Sequence, residues 1–329
     1  MTLPPRPMNI LITAASRRVA MVKGFVKALA DLGVPGAVHV TDTDPLSTGL
    51  RFAHKAHMVP FSDSPSYLPR LLEICQQEHI RLVVPTIDEE LINFGSWKEE
   101  FVRNGAIPLV SDTTVGRICR DKFQTARWFG EHQFPFATTW LPGDIDPAKA
   151  KYPLFIKPRK GRGSVGAHMI KNERELRFFV DYVEDPVIQT YLHGSEFTVD
   201  VLAGLDGRIL SVVPRQRMVI RSGVCDRGQT VMDKELIALC ARICETMQVV
   251  GPVNLQLKKQ RGKATFFEVN PRFSGAIQLT VAAGADFFRM IVEEALGRNP
   301  APAVGAFKGG VLMMSYEDSL FELNGKRLS

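Results

Sequence analysis

Four polar side chains, Gln256, Glu268, Asn270 and Arg272, stand in or just beyond two apolar runs of the segment VNLQLKKQRGKATFFEVNPRFSG at residues 253–275. Two apolar runs flank a polar turn at 259–263, where Gly262 supplies flexibility, so the segment reads as a β-hairpin. Strand side chains alternate faces, which points Glu268 and Asn270 the same way and lets Arg272 follow if the strand continues. A carboxylate and an amide in an apolar strand cost stability unless something satisfies them. A hard cation such as Mg²⁺, which takes oxygen ligands together with substrate phosphates, would do that. The plainer reading, polar residues facing water, fits less well with the Pro271-Arg272 break directly after Asn270.

A second constellation lies upstream. Lys157 sits in the apolar strand YPLFIKP, where an unpaired ammonium is expensive, and the glycine-rich turn KGRGSVGAHMI (160–170) follows at once. Gly161, Gly163 and Gly166 let such a loop fold over phosphates, with backbone N–H groups and Ser164 as donors. By itself a glycine-rich turn between strands is common, and Lys122, on a preceding helix, reads equally as a surface residue. Arg215, Arg217 and Arg221 form a basic group upstream of the hairpin, and a planar guanidinium suits bidentate carboxylate binding. His168 and His193 read as structural rather than acid–base groups.

The elements that position these residues fall into two styles. Strands at 9–13, 37–41, 82–85 and 107–110 alternate with helices at 18–32, 67–78 and 87–103, the rhythm of a doubly wound parallel sheet. The turn after the first strand is AASRR and lacks the G-x-G-x-x-G glycines, which argues against a dinucleotide cofactor; Ser16, Arg17 and Arg18 there can hold an anionic substrate. A helix over 114–132, capped by Ser111 or Asp112, and a proline-bearing linker at 134–147 lead into an α+β region. Its strands are expected at 152–158, 187–191, 194–205, 209–214 and 310–316, with helices at 173–183, 233–247 and 283–296.

A net charge of +6 agrees with anionic ligands, and no aromatic-interleaved basic stripe or nucleic-acid motif appears, so no nucleic-acid partner is expected. No apolar run reaches the roughly 18–20 residues of a membrane span, so no membrane partner is expected. The MTLPPRPMN start lacks a secretory core, which makes the cytoplasm the expected compartment. The five cysteines show neither disulfide nor zinc spacing.

Taken in order, Asp121-Lys122, the Lys157 strand with its Gly161–Gly166 loop, QTYLHGSEFTVD and FFEVNPRFSG carry a resemblance that covers residues 9–297. The sequence resembles the ATP-grasp ligases, in the branch of the carbamoyl-phosphate synthetase large subunit and the small carboxylate–amine ligases. The resemblance implies an α/β plus α+β chain: an extended or disordered start (1–8), a Rossmann-like pre-ATP-grasp domain (9–112), a linker helix with the grasp lid (113–192) and a C-terminal subdomain with the metal site (193–329), the last two clasping ATP.

By the same resemblance, Lys122 and Lys157 bind ATP phosphates under the loop of Gly161, Gly163, Ser164 and Gly166. Backbone groups of Gln189, Thr190, Tyr191 and Leu192 read the adenine edge, Ile156, Leu192 and Phe267 sandwich the ring, and Glu196 accepts from the ribose. Gln256, Glu268 and Asn270 become ligands of two Mg²⁺ ions, with Mn²⁺ able to stand in, although Gln256 is an amide where many relatives use an acid. Arg272 and Lys157 are the catalytic charges, and Arg215, Arg221, Ser274 and Gly275 face the substrate carboxylate. The implied reaction activates a carboxylate as an acyl phosphate, releases ADP and joins the acid to an amine. Small-molecule acid and amine are then the partners, and relatives of the first domain often form homodimers. A single synthetase unit makes carbamoyl phosphate an unexpected product. A phosphotransferase without ligation and a non-catalytic nucleotide-binding protein are the alternatives.

Overall fold

The computed structural model describes residues 7–161, 163, 165–221, 223–324 and 326–327. Its first region opens with β1 (Asn9–Ile12), α1 (Val19–Asp31), β2 (Val38–Asp42) and β3 (Lys55–Met58). It continues with α2 (Tyr67–Gln77), β4 (Ile80–Val84), α3 (Asp88–Ser96), α4 (Lys98–Arg103) and β5 (Ile107–Pro108). The five strands form one parallel sheet in the order β3-β2-β1-β4-β5. Strand β3, KAHM, is largely exposed at the sheet edge, so it lacks the apolar run that marks buried parallel strands and does not stand out in the sequence.

Helices α5 (Thr113–Arg120) and α6 (Lys122–Glu131) replace the single helix expected over 114–132. Asp121 breaks it: its backbone is extended, and its carboxylate accepts from the N–H groups of Phe123 (3.0 Å) and Gln124 (3.2 Å), capping α6. The lid follows with β6 (Thr139–Trp140), β7 (Leu154–Pro158), β8 (His168–Ile170), α7 (Glu173–Tyr182) and β9 (Pro186–Thr190), its strands ordered β6-β9-β7-β8 and antiparallel. Its own core is small, centred on Leu154, Ile156, Ile170, Leu176 and Ile188.

The main elements that follow are β10 (Ser195–Ala203), β11 (Ile209–Arg221), β12 (Val224–Thr230), α8 (Lys234–Met247), β13 (Gly251–Gln260), β14 (Lys263–Asn270), α9 (Ile277–Ala282), α10 (Phe287–Ala295) and β15 (Leu312–Met314). The strands build a sheet in the order β14-β13-β10-β11-β12-β15. Strand β11 runs past Pro214, whose carbonyl accepts from Val231 N–H (2.9 Å), so Arg215, Arg217 and Arg221 stand on a strand and not on a loop. Its partner β12, VCDRGQT, carries no strand signature and is held by pairing with β11 and β15. The helix expected from 283 starts at Phe287, after Gly284 (φ 104°) and the Asp286 cap.

The N-terminal sheet and the C-terminal helices share one core, in which Phe25 of α1 meets Phe288 edge-on at 4.9 Å and Phe273 at 6.2 Å. Gly24 permits that approach, since a Cβ there would lie 2.3 Å from the Phe288 ring. Among the described residues no helix is long and apolar enough to cross a membrane.

Candidate active site

One cavity of about 1340 Å³ runs between the lid, the six-stranded sheet and the N-terminal sheet. Lys157 enters it from β7 by strand alternation, which also brings in Phe155 and turns Ile156 into the lid core, completely buried. Ile156, expected against the adenine ring, therefore does not line the cavity, whereas Phe155, Leu192 and Phe267 do. The parity of Phe155 with Lys157 was the signal for it.

Asp121 accounts for Lys122. Its carboxylate grips Arg159 through Nε (2.8 Å) and Nη2 (2.7 Å), and the Lys122 N–H donates to Arg159 O (3.1 Å). The start of α6 is thereby tied to the strand end before the glycine loop, and Lys122 Nζ reaches Gly161 O at 2.9 Å. Lys122 is buried in the cleft, not on the surface. Gly161, Gly163 and Gly166 all have positive φ (127°, 69° and 69°), which any other residue would adopt only with strain. Ser164 lies outside the described residues.

The β13–β14 hairpin owes its geometry to a bulge. Asn254 pairs with Asn270 and Gln256 with Glu268, but Leu257 pairs with Phe266, leaving Phe267 as the extra residue. That shift lets the consecutive Phe267 and Glu268 both line the cavity while Phe266 and Val269 stay in the core. Lys157 Nζ donates to Phe267 O (3.3 Å) and lies 5.4 Å from its ring. Burial pulls the Lys157 pKa down to about 8, against the raising influence of Glu268. The Glu268 carboxylate makes no hydrogen bond or ion pair with a described residue. Asn270 is lightly held, donating to Asn254 Oδ1 (3.3 Å) and accepting from Arg272 Nη2 (3.4 Å). Asn254, two residues before Gln256, is a cavity residue that strand parity could have revealed.

The arginines divide sharply. Arg215 is buried against Asp200, donating from Nε (2.7 Å) and Nη2 (2.9 Å), and Nη2 also reaches Ser274 Oγ (2.8 Å). The carboxylate it meets is therefore internal, and both Arg215 and Ser274 are engaged by the protein; of the Arg215 nitrogens, only Nη1 lacks a partner. Arg217 donates from Nη1 to Glu196 (2.7 Å) and Gln256 (3.3 Å), and from Nη2 to Gly223 O (2.6 Å). Arg221 sits exposed at the cavity rim, 3.7 Å from Asp226, and Gly275 lines the wall near Val224.

Arg272 reaches across the molecule and grips Asp88, at the start of α3, from Nε (2.8 Å) and Nη2 (2.7 Å). Burial works against its charge, yet Asp88 and Glu268 leave its pKa raised. Asp88 sits in an N-terminal helix, 184 residues away, and nothing local marks it. Gln189, Thr190, Tyr191, Leu192 and Glu196 all line the cavity, and the Gln189 side-chain amide donates to Thr139 Oγ1 (2.9 Å). His168 stacks on Phe179 (4.3 Å) and His193 meets Tyr191 edge-on (4.9 Å), both packing roles.

Comparison with known proteins adds to this geometry. Residues 10–110 match the model of a PylC-like N-terminal domain, and residues 183–318 that of an ATP-grasp in the biosynthetic pathway with Ter operon. The carbamoyl phosphate synthase large chain of Thermoanaerobacter sp. (strain X514) is 22% identical over 297 residues, 82% of this chain and 26% of the relative. The 3-methyl-D-ornithine–L-lysine ligase of Methanosarcina acetivorans is 27% identical over 194 residues, 58% of this chain and 47% of that enzyme. The chain thus spans about a quarter of the first relative and just under half of the second. In structure it is similar to the biotin carboxylase domain of the Hydrogenobacter thermophilus 2-oxoglutarate carboxylase, solved with MgADP, ADP and bicarbonate, with a TM-score of 0.75, 15% identity and coverage of 92% of this chain and 73% of that one.

Proposed function

For a chain with an ATP-grasp fold behind a PylC-like N-terminal domain, we propose a carboxylate–amine ligase driven by ATP. The carrying observation is the confrontation of Lys122 and Lys157 with the unpaired Glu268 and the lightly held Asn270 across one cleft. Two buried cations face an acid and an amide that the protein itself leaves available.

That donor set fits Mg²⁺, which takes oxygen ligands together with phosphates. Glu268 and Asn270 would hold it, with Gln256 a weaker third because Arg217 already engages it. When bound, the metal neutralises phosphate oxygens. A second ion, and Mn²⁺ in place of Mg²⁺, belong to the same reading. Lys122 and Lys157 bind the phosphates, and the loop of Gly161, Gly163, Ser164 and Gly166 covers them. Phe155, Leu192 and Phe267 pack against the base, the Gln189–Leu192 linker reads its edge, and Glu196, steered by Arg217, accepts from the ribose.

The carboxylate oxygen of the acid attacks the γ-phosphorus and ADP leaves. Arg272 stabilises charge on the transferring group, because positioning and electrostatics carry phosphoryl transfer. Arg215 Nη1, Ser274, Gly275 and Arg221 orient the acid. The amine nitrogen then attacks the acyl carbon, phosphate departs and an amide forms. The partners are small molecules in the cytoplasm, with a homodimer as the assembly.

The test is ADP release with Mg²⁺ across pairs of carboxylic acids and amines, with mass detection of the product. Release that needs both partners supports the ligase. Release of AMP and pyrophosphate overturns it, and ADP release indifferent to the amine favours a phosphotransferase.

A further inference from the structure

Where the cavity wall beside Gly275 opens to solvent, its surface is largely apolar. Ile220 at the end of β11 and Val224 at the start of β12 line it at 41% and 46% exposure, and Tyr316, just after β15, lines it at 87%. Val224 stands against Gly275, where a Cβ would lie 3.1 Å from its Cγ1. Ser315 N–H donates to Asp226 O (2.9 Å), which continues the β12–β15 ladder and carries Tyr316 alongside the start of β12. Three separate segments thus bring large side chains with apolar surface to one rim, and such surface at a cavity mouth marks a place where a ligand binds.

Neither the charges of the rim nor the glycine loop covers these side chains. Arg221 and Arg227 both lie near Asp226, at 3.7 and 3.9 Å, and Glu317 adds a second acid to the cavity lining, so guanidiniums and carboxylates offset one another there. The glycine loop already reaches the tip of the β11–β12 hairpin, since a Cβ on Gly223 would lie 3.0 Å from Gly163 Cα, yet Ile220 and Val224 stay exposed. Deeper in the same wall the buried Arg215 keeps Nη1 without a partner, while its Nη2 holds Ser274 Oγ at 2.8 Å. The wall therefore offers a buried guanidinium donor inside and apolar surface outside.

We propose that the acid substrate is a monocarboxylate with an apolar body and no second ionised group. Its carboxylate seats at Arg215 Nη1 and Gly275, and its chain or ring lies along Val224, Ile220 and Tyr316. The assignment rests on the ligase reading and names the chemical class of one substrate. A doubly charged acid would bring a second anion to a rim that already holds Asp226 and Glu317, and a zwitterion would set its ammonium against apolar side chains. Covering such a strip strengthens binding by about fourfold per methylene group, so affinity should rise with chain length until the strip is filled.

Saturation-transfer NMR titrations on the full chain with MgADP present test it. The probes are acetate, butyrate, hexanoate and octanoate, with adipate and aminocaproate as the doubly charged and zwitterionic counterparts of hexanoate. Affinity should climb about fourfold per methylene group along the series, with both counterparts about tenfold or more weaker than hexanoate. Tyr316→Ala together with Val224→Ala, both at exposed positions, should flatten the climb while the MgADP affinity and the unfolding midpoint stay unchanged. No binding by any of the acids, equal binding of short and long acids, adipate or aminocaproate as tight as hexanoate, or an unaltered climb in the double variant overturns the proposal. If the climb is present and the variant abolishes it but no acid–amine pair releases ADP, the apolar rim stands and the ligase reading falls. If amine-dependent ADP release runs with short or doubly charged acids and ignores the variant, the ligase stands and the class assignment falls.

Discussion

The outer cleft and its deep floor use charge in opposite ways. In the outer cleft Lys157 loses solvent without gaining an acid in contact, and Glu268 has no bonded partner among the described residues. On the floor Arg215, Asp200, Ser274 and Thr280 bond to one another, with Thr280 Oγ1 and two Arg215 nitrogens converging on the Asp200 carboxylate and Arg215 Nη1 left over. Burial alone does not separate function from structure, because both regions are buried. What separates them is whether the protein supplies the counter-charge. Where it does, the group holds strands together; where it does not, a ligand is the missing partner.

Glu268→Ala should expose the contrast most strongly. It removes a carboxylate that has no bonded partner among the described residues, so ADP release should fall by about a thousandfold or more while the unfolding midpoint stays within a degree or two, a small change for a chain of this size. Calorimetry on the same preparation checks both halves, and a large loss of stability would move Glu268 into the structural class.

Arg215→Ala should do the reverse in kind. It strands the Asp200 carboxylate in the core, and breaking a buried pair this way costs about 3–5 kcal/mol. Urea unfolding should show that loss, and the double variant Arg215→Met with Asp200→Leu should recover much of it. Full stability in Arg215→Ala would mean that Asp200 is not held by Arg215 and that the floor is no different from the outer cleft.

Glu90 belongs to neither class, since it is buried and hydrogen-bonded but meets no cation among the described residues. Burial pushes its pKa up to about 7, against the hydrogen bonds from Tyr67 and Thr13. Between the usual carboxylate range and that value the folded protein keeps a proton that the unfolded chain has lost. Stability therefore falls as pH rises through this window, by up to about 1.4 kcal/mol per pH unit. Glu90→Gln should remove that slope, so the variant becomes about 2 kcal/mol more stable relative to wild type at pH 8 than at pH 5. Urea midpoints at the two pH values read it out, and parallel curves for the two proteins would place a counter-charge near Glu90 after all.

Sequence reading reaches the unpaired class well and the paired class poorly. Lys157, Glu268 and Asn270 stand out because each breaks an apolar strand, which is the mark of a group awaiting a partner. Arg215 looks the same from sequence, since its partner Asp200 lies on the neighbouring strand and pairing is a property of register. Local rules also miss what tertiary contacts impose. Residues 114–132 keep helical composition through Asp121, and only the grip on Arg159 shows why the chain breaks there. The side of β7 that Phe155 and Ile156 take is fixed by Lys157, so parity with that residue could have put Phe155 in the cavity where Ile156 was expected. Strand β12 exists because β11 and β15 flank it, against its own composition.

Arg272 is the intermediate case and gives the finest test. Its guanidinium faces the cleft, yet the acid that holds it comes from the N-terminal helix α3, so the N-terminal region fixes a charge that lines the cavity. Asp88→Asn keeps the shape and one acceptor oxygen but removes the charge that fixes the fork. Arg272 should then wander from its productive position, and kcat should fall about tenfold, roughly 1.4 kcal/mol. KM for ATP and the unfolding midpoint should stay near wild type, because the adenine wall and the lysines are untouched. Asp88→Glu should recover part of the rate if orientation is the role. In an Arg272→Lys background, where the fork is already gone, Asp88→Asn should cost little more, so the double variant tells positioning from packing. A rise in the ATP KM with kcat unchanged would mean that Asp88 serves the domain interface, and Arg272 would then join Arg215 among the residues the protein keeps for itself.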